Sequence, residues 1–321
     1  MDARLRTYVL VALAAVGTAA LVVGLVAFTR TSPRAAVDTS TTTPERAPAL
    51  VLDLGLRTDP EAVALRRANR LYSAGRRRAA GRIFARYRSV EAQVGAAVSG
   101  WPNGTLTRLD ELAARHPSSG VALLHLGLVQ VASGKGDAAE AAWRKVLAHD
   151  PNSEAAVQAE SLLHPRFAPG RPPFVPSFGV PAQVARLSPA SQLAALERAA
   201  RDRDVKAKLL YGSALQRLGR PVSAERQFAT AASLAPGDPE AQTAAAVGLF
   251  SKAKPELAFS RLGPLAPRFP RSQSVRFHLG ELLLWIGQLG KARQELRIAR
   301  REGPSTPLGR TAAEFLAKLP R

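Results

Sequence analysis

Cysteine is absent from the 321 residues, which excludes disulfides, thiolate metal sites and a cysteine nucleophile together. Aromatic residues make up only 6% of the chain, too few for the interleaved ring platform that single-stranded nucleic acid requires. Acidic residues are scarce against basic ones, 25 to 45, which leaves a net charge of +20. Such an excess ordinarily points to nucleic acid or an anionic membrane. Lysine is scarce too, however, with eight against 37 arginines, and that skew in an alanine-rich chain follows from the codon bias of a GC-rich genome. Global basicity is therefore a weak guide to partners. What is present is 46% hydrophobic residues, enough for one large core or a stacked array.

Residues 1–7 form a short tail carrying Arg4 and Arg6, and Tyr8 to Phe28 follow as 21 residues without a charge. At 1.5 Å per residue this segment, 8–28, is long enough to cross a hydrocarbon core of about 30 Å. A cleaved signal peptide would have a shorter apolar region and a small-x-small site, for which Arg34, Ala35 and Ala36 are a poor candidate, so an uncleaved single-pass anchor is expected. Arg30 and Arg34 nearly balance the charges before the segment. The expected orientation places the N-terminus inside and the bulk of the chain on the extracytoplasmic side. Residues 29–58 begin with a Ser/Thr/Pro-rich run that has little to bury and reads as a stalk. Within it, Leu50 to Leu56 is an apolar run suited to a short strand or to covering the first helix.

Beyond residue 59 the chain reads as helices punctuated at a fixed interval. Leu279, Gly280, Gly287, Ala292, Leu296, Ala299 and Pro304 align with Tyr211, Gly212, Gly219, Ala224, Phe228, Ala231 and Pro236, an offset of 68 residues. Halfway between lie Ala246, Leu249, Ala253, Ala258, Leu262, Leu265 and Pro270, so units begin near 205, 239 and 273. A further unit begins near Gly120 and carries Leu126, Gly127, Gly134, Ala139, Trp143, Val146 and Pro151. A glycine inside a helix costs about 1 kcal/mol against alanine, so glycines repeated in register need a shared architectural reason. Ala68, Leu71, Gly75, Ala80 and Phe84 suggest a unit from about Glu61. Leu109, Leu112 and Pro117 suggest another from about Arg86, with Gln93 where a small residue belongs. Leu308, Ala312, Phe315, Leu316 and Leu319 predict a capping helix.

This pattern resembles the tetratricopeptide repeat, whose 34-residue unit carries W-x2-L-G-x2-Y, then A-x3-F, then P. The whole chain looks like a membrane-anchored bacterial member of that family. The resemblance covers roughly residues 59–304 and is clearest at 120–153 and 205–304. It implies an all-α chain in which a transmembrane helix precedes an α–α superhelix, or solenoid. Small residues of the first helix and alanines of the second would mark close packing, with proline closing each unit.

The register breaks at His164 to Pro181, where six prolines forbid a continuous helix. Residues 164–188 therefore read as a connector between N-terminal repeats, 59–163, and C-terminal repeats with a capping helix, 189–321, a point at which the array could divide into two lobes. The sequence PFVP at 173–176 also suits a polyproline ligand for an outside partner. The connector reading is favoured, because Phe167, Phe174 and Phe178 need burial and would cover a hydrophobic surface of the same protein.

No catalytic constellation is found. His125 and His278 share the sixth position of a repeat, His116 and His149 precede closing prolines, and His164 opens the connector, a distribution that reads as structural. Tyr211 to Leu215 lacks the second glycine of a nucleophile elbow, and Gly134-Lys135 lacks the Ser or Thr of a P-loop. The expectation is a protein that is not an enzyme and takes no metal or cofactor.

The resemblance implies ligands, extended peptides or helices, in the groove made by the first helices of each pair. Carried over by repeat position, that groove consists of Lys206, Leu209, Ser213, Gln216 and Arg217, then Glu240, Thr243, Val247, Phe250 and Ser251, then Ser274, Phe277, Glu281, Leu284 and Trp285. Phe250, Phe277 and Trp285 beside Lys206 and Arg217 suit an apolar anchor next to an acidic one. The alternative is that Leu284 and Trp285 pack under the capping helix. The same positions near Gly120 are Val121, Leu124, Leu128, Val131 and Ala132, a face apolar enough to demand a cover, for which the proline segment is a candidate. Arg66 and Asn69 echo part of a carboxylate clamp whose other positions do not match.

A second candidate surface is basic. Arg66, Arg67, Arg70, Arg76, Arg77, Arg78, Arg82, Arg86 and Arg88 fall within 23 residues that contain no acid. Such a helix pair on a short stalk suits anionic lipid headgroups, while a membrane anchor counts against nucleic acid. The leading expectation is a membrane-tethered scaffold or adapter that binds protein or peptide partners. The alternative is a binder of anionic membrane surface through residues 66–88.

Overall fold

A computed structural model of the protein describes residues 47–320. The expected tail, the membrane helix 8–28 and the first part of the stalk lie outside the described residues. Among those described, no helix is long and apolar enough to cross a membrane, and the regular structure is helical. The chain divides after Asp150 into two compact units. The first holds α1 (Pro60–Ser73), α2 (Arg77–Phe84), α3 (Val90–Ser99), α4 (Thr105–Arg115), α5 (Gly120–Ala132) and α6 (Gly136–His149). The second begins with α7 (Glu154–Leu163), the short α8 (Ala182–Ala185) and α9 (Pro189–Ala199). It continues with α10 (Val205–Arg217), α11 (Pro221–Leu234), α12 (Pro239–Gly248), α13 (Glu256–Leu262), α14 (Leu265–Arg268), α15 (Gln273–Trp285), α16 (Leu289–Glu302) and α17 (Pro307–Lys318). The proline-rich connector and α7 thus belong to the same unit as the repeats that follow them.

The helix pairs that begin near 120, 205 and 273 share one kind of start, turn and contact. First helices are capped by a side chain accepting from a first-turn N–H: Asp204 from Ala207, Asp238 from Glu240, Ser272 from Val275 and Thr306 from Gly309, one cap every 34 residues. A cap of this kind is worth about 1 kcal/mol. The fourth of them makes α17 the first helix of one more unit, so the described residues end on half a repeat. Gly134, Gly219 and Gly287 close the first helices in the left-handed region, at φ of 76°, 66° and 81°, where a side chain would be strained.

The glycines inside the first helices answer to the second helices. A Cβ at Gly280 would fall 2.8 Å from the Leu296 Cγ, and one at Gly127 or Gly212 would overlap the ring of Trp143 or Phe228. The helix cost of each glycine is therefore offset by the close approach of a large buried residue sixteen positions on. The earliest part of the array departs from the strict period. The α2 helix is short, the pair α3–α4 begins at Val90 instead of near Arg86, and Gly95, not Gln93, meets the preceding Phe84 ring.

The unit from 239 departs differently. Position 253 is alanine where its neighbours have the left-handed glycine, α12 stops at Gly248, and the chain turns Phe250 and Lys252 inward before α13. The core of the second unit runs from Phe228 through Phe250, Phe277 and Leu296 to Phe315 of the capping helix.

Candidate functional site

The first helices α10, α12 and α15 form the inner face of the second unit, and residues 170–178 of the connector lie across it as an irregular strap. Pro172, Pro173 and Pro176 fix φ and remove three main-chain donors, so this stretch cannot join a helix. Three of its remaining N–H groups, those of Phe174, Val175 and Ser177, are taken by side chains of the inner face. The Phe174 N–H donates to Gln216 Oε1 at 2.9 Å, and its carbonyl lies 3.4 Å from Ser213 Oγ, whose proton goes to the Leu209 carbonyl at 2.8 Å. The Val175 N–H donates to His278 Nε2 at 2.9 Å. Ser177 gives both its N–H and its hydroxyl to the Glu240 carboxylate, and Arg171 donates to the Phe250 carbonyl. Phe174 is 2% exposed, edge-on to Phe228 with centroids 5.3 Å apart and stacked on His278 at 5.0 Å. The connector phenylalanines do cover a surface of their own protein. Phe174 does so fully and Phe178 in part, the latter under the Lys206 ammonium at 5.6 Å.

The first unit repeats the central contact. His125, at the same repeat position as His278, accepts the Val51 N–H on Nε2 at 3.1 Å. In both histidines Nδ1 lies 2.7 Å from the carbonyl four residues back, Val121 or Ser274. With Nε2 accepting, the ring proton must sit on Nδ1, so each imidazole is held as one neutral tautomer. Burial pushes both down to about pH 4, only partly opposed by the Nδ1 hydrogen bond. The run around Leu50 to Leu54 meets α5 through Val51, and Leu50 and Leu54 are themselves buried. That run forms no strand.

The residues expected to line a groove fall into three groups. Lys206 and Arg217 are exposed at its rim. Gln216 and Glu240 hold the strap, with Ser213 beside it. Leu209, Thr243, Val247, Phe250, Phe277, Leu284 and Trp285 are buried. Phe277 stacks on Phe315 of α17 at 5.9 Å and Phe250 packs edge-on to Trp285 at 6.0 Å, so these aromatics are core and offer no open anchor. Glu281 is 2% exposed, its Oε2 has no hydrogen-bond partner, and burial pushes its carboxyl well above the usual range. Ser251 and Ser274 serve neighbours, Ser251 donating to Glu160 and Ser274 lying against His278.

A buried polar cluster fixes the upstream end of the strap. Glu160 Oε1 accepts from the Ser251 hydroxyl at 2.9 Å and the Lys252 N–H at 2.8 Å, while Oε2 lies 3.5 Å from Arg171 Nε. Lys252 Nζ donates to Ser161 Oγ at 2.8 Å, and the same oxygen accepts the Gly170 N–H at 3.0 Å. Desolvation brings the Lys252 ammonium down to about pH 7, against the pull of Glu160. Ser161 gives its own proton to the Val157 carbonyl, so this pair is a clasp and not an activated nucleophile. Sequence reasoning missed the cluster because it arises where the repeat at 239 loses its turn glycine.

Of the nine arginines between 66 and 88, Arg66 donates to the carbonyls of Arg57 and Gly55, and Arg77 to that of Trp101. The other seven are exposed.

No protein-family model and no curated protein matches this chain. Solved structures similar to it include a tetratricopeptide repeat protein from Parabacteroides merdae, at 12% identity over 80% of this chain and 98% of that one, TM-score 0.35. Another is YrrB, described as a TPR protein with an unusual peptide-binding site, at 15% identity over 64% of this chain and 97% of that one, TM-score 0.32. A third is the C-terminal part of a TPR repeat-containing protein from Cytophaga hutchinsonii, at 13% identity over 78% and 99%, TM-score 0.29. The repeat architecture itself stands on the 34-residue register of caps, turn glycines and interhelical contacts.

Proposed function

We propose that this chain, built of tetratricopeptide-type helix pairs, is a non-catalytic scaffold that binds protein or peptide partners, tethered to a membrane by residues 8–28 with its bulk on the extracytoplasmic side. The observation that carries the reading is the seat of Phe174 to Ser177, where side chains of the inner face grip the main chain of a non-helical segment. Main-chain contacts of this kind accept many sequences, and a pocket such as that of Phe174 adds selectivity. The test places a photo-crosslinking residue at Lys206 or Arg217, both exposed, in the full-length chain in native membranes. Val175→Pro removes the N–H that His278 accepts and should raise a defined partner adduct severalfold at unchanged helicity. The absence of any adduct with either rim position, strap loosened or not, would overturn the reading.

A second surface is favoured by the seven exposed arginines of α1, α2 and the turns beside them. They suit anionic headgroups, at about 1 kcal/mol per charge near the surface. Vesicles containing phosphatidylglycerol are expected to bind residues 47–320, expressed without the apolar segment 8–28, at low salt and to release them as ionic strength rises. Replacing Arg67, Arg70, Arg78 and Arg82 by Gln should abolish that binding without changing adducts at Lys206. Salt-independent binding would exclude an electrostatic surface.

A further inference from the structure

Glu281 is buried on the inner face with a carboxyl oxygen that has no hydrogen-bond partner. Gly170 lies against Trp285, where a Cβ would fall 3.9 Å from Cη2, and Val175 sits on His278. Glu281 stands between these two residues on the same face of α15, three positions after His278 and four before Trp285. The strap therefore crosses it with residues 171–174. Pro172 and Pro173 have no N–H to give, Phe174 gives its own to Gln216, and the Arg171 guanidinium is taken by Glu160 and the Phe250 carbonyl. Glu281 Oε2 is left buried and unpartnered. An orphaned polar atom of this kind is among the costlier defects a folded protein carries.

The surroundings of the strap also have a sign. In a chain with a net charge of +20, the carboxylates that meet the strap are Glu160, which holds Arg171, and Glu240, which holds Ser177, with Glu281 between them. The strap already uses one basic residue against this series. It lacks a second, at the place where a carboxyl has no partner.

We propose that the inner face of the second unit is a site for a basic–aromatic peptide of the strap's own pattern, with a lysine or arginine at the place of Pro173 paired to Glu281. The strap is then its placeholder in cis. This rests on the peptide-binding reading above and specifies its ligand. The unpartnered Glu281 carboxyl is the margin by which a partner displaces the strap. Displacement must also overcome the high effective concentration of a tethered competitor, so a peptide merely equal to the strap does not compete.

The experiment measures fluorescence anisotropy of two labelled peptides, residues 169–179 and the same segment with Pro173→Lys, against the full-length chain carrying Val175→Pro. The lysine peptide is expected to bind about tenfold tighter, the gain of one charge-assisted hydrogen bond. In a Glu281→Gln background the two should agree within about twofold. Equal binding of both peptides to the Glu281 chain overturns the proposal and leaves the peptide-binding reading intact; no binding of either overturns both. A check in cis needs no loosened strap. Pro173→Lys placed in the chain itself should raise Tm by about 2–4 °C more with Glu281 present than in the Glu281→Gln chain. An equal effect in the two backgrounds counts against the proposal.

Discussion

Phe174→Ala is expected to destabilise the second unit by about 3–5 kcal/mol, the range for deleting a fully enclosed aromatic ring. The ring is 2% exposed and touches both Phe228 and His278, so its loss opens a cavity between two repeats and removes the packing that keeps the His278 imidazole dry. Phe167→Ala is the control, since Phe167 is only half-buried, with Arg166 over its ring, and should cost far less. Urea unfolding would give the values, and chymotrypsin cleavage after Phe178 would report the strap directly. A loss below about 1 kcal/mol, with unchanged cleavage, would mean that the strap is not seated.

Acid is expected to act on the two units differently. His125 titrates near 4 when folded and near 6.5 when unfolded, so between those values the unfolded first unit binds more protons and stability falls as pH falls. The full loss is about 3 kcal/mol by pH 4. His278 contributes the same slope to the second unit, but Glu281 opposes it. Burial raises its carboxyl well above the ordinary value of about 4.5, so above that value the folded unit keeps a proton that the unfolded chain gives up. The folded second unit thus holds a proton on Glu281 where the unfolded chain takes one on the histidine, and the two slopes oppose each other. Hydrogen exchange compared at pH 6.5 and 4.5, corrected for intrinsic rates, should show opening of α5 eased by roughly 2–3 kcal/mol and of α15 by less. His125→Gln should flatten the first response, and Glu281→Gln should uncover the second. Equal acid sensitivity of α5 and α15 in the wild-type chain would contradict this account.

The repeat was legible because its determinants are local. Gly212 and Phe228 are sixteen residues apart, and the spacing of Gly280 and Leu296 repeats it, so one unit could be laid over another. The capping series Asp204, Asp238, Ser272 and Thr306 carries the same period and would have shown that α17 opens a further unit. The strap's seat was not legible in the same way. That the connector phenylalanines would be buried at home follows from their composition, but where they dock depends on main-chain N–H groups that every residue except proline possesses. His125 and His278 were read as structural from their shared position before Leu-Gly, and that position was a signal of more than packing, since each accepts a main-chain N–H from a covering segment. Phe250, Phe277 and Trp285 looked like a groove because a first-helix face is apolar whether it meets a ligand, a strap or a capping helix.

One consequence of the two histidine contacts concerns the order in which the chain is made. Val51 precedes His125 by 74 residues and Val175 precedes His278 by 103, so a ribosome releases each covering segment well before the helix that receives it. Helix pairs close through contacts about sixteen residues long and are favoured to form first, whereas the covering segments must close long loops. Each segment therefore waits as an exposed apolar stretch during synthesis and seats last. Whatever binds Phe174 and its neighbours in that interval competes with a groove that does not yet exist.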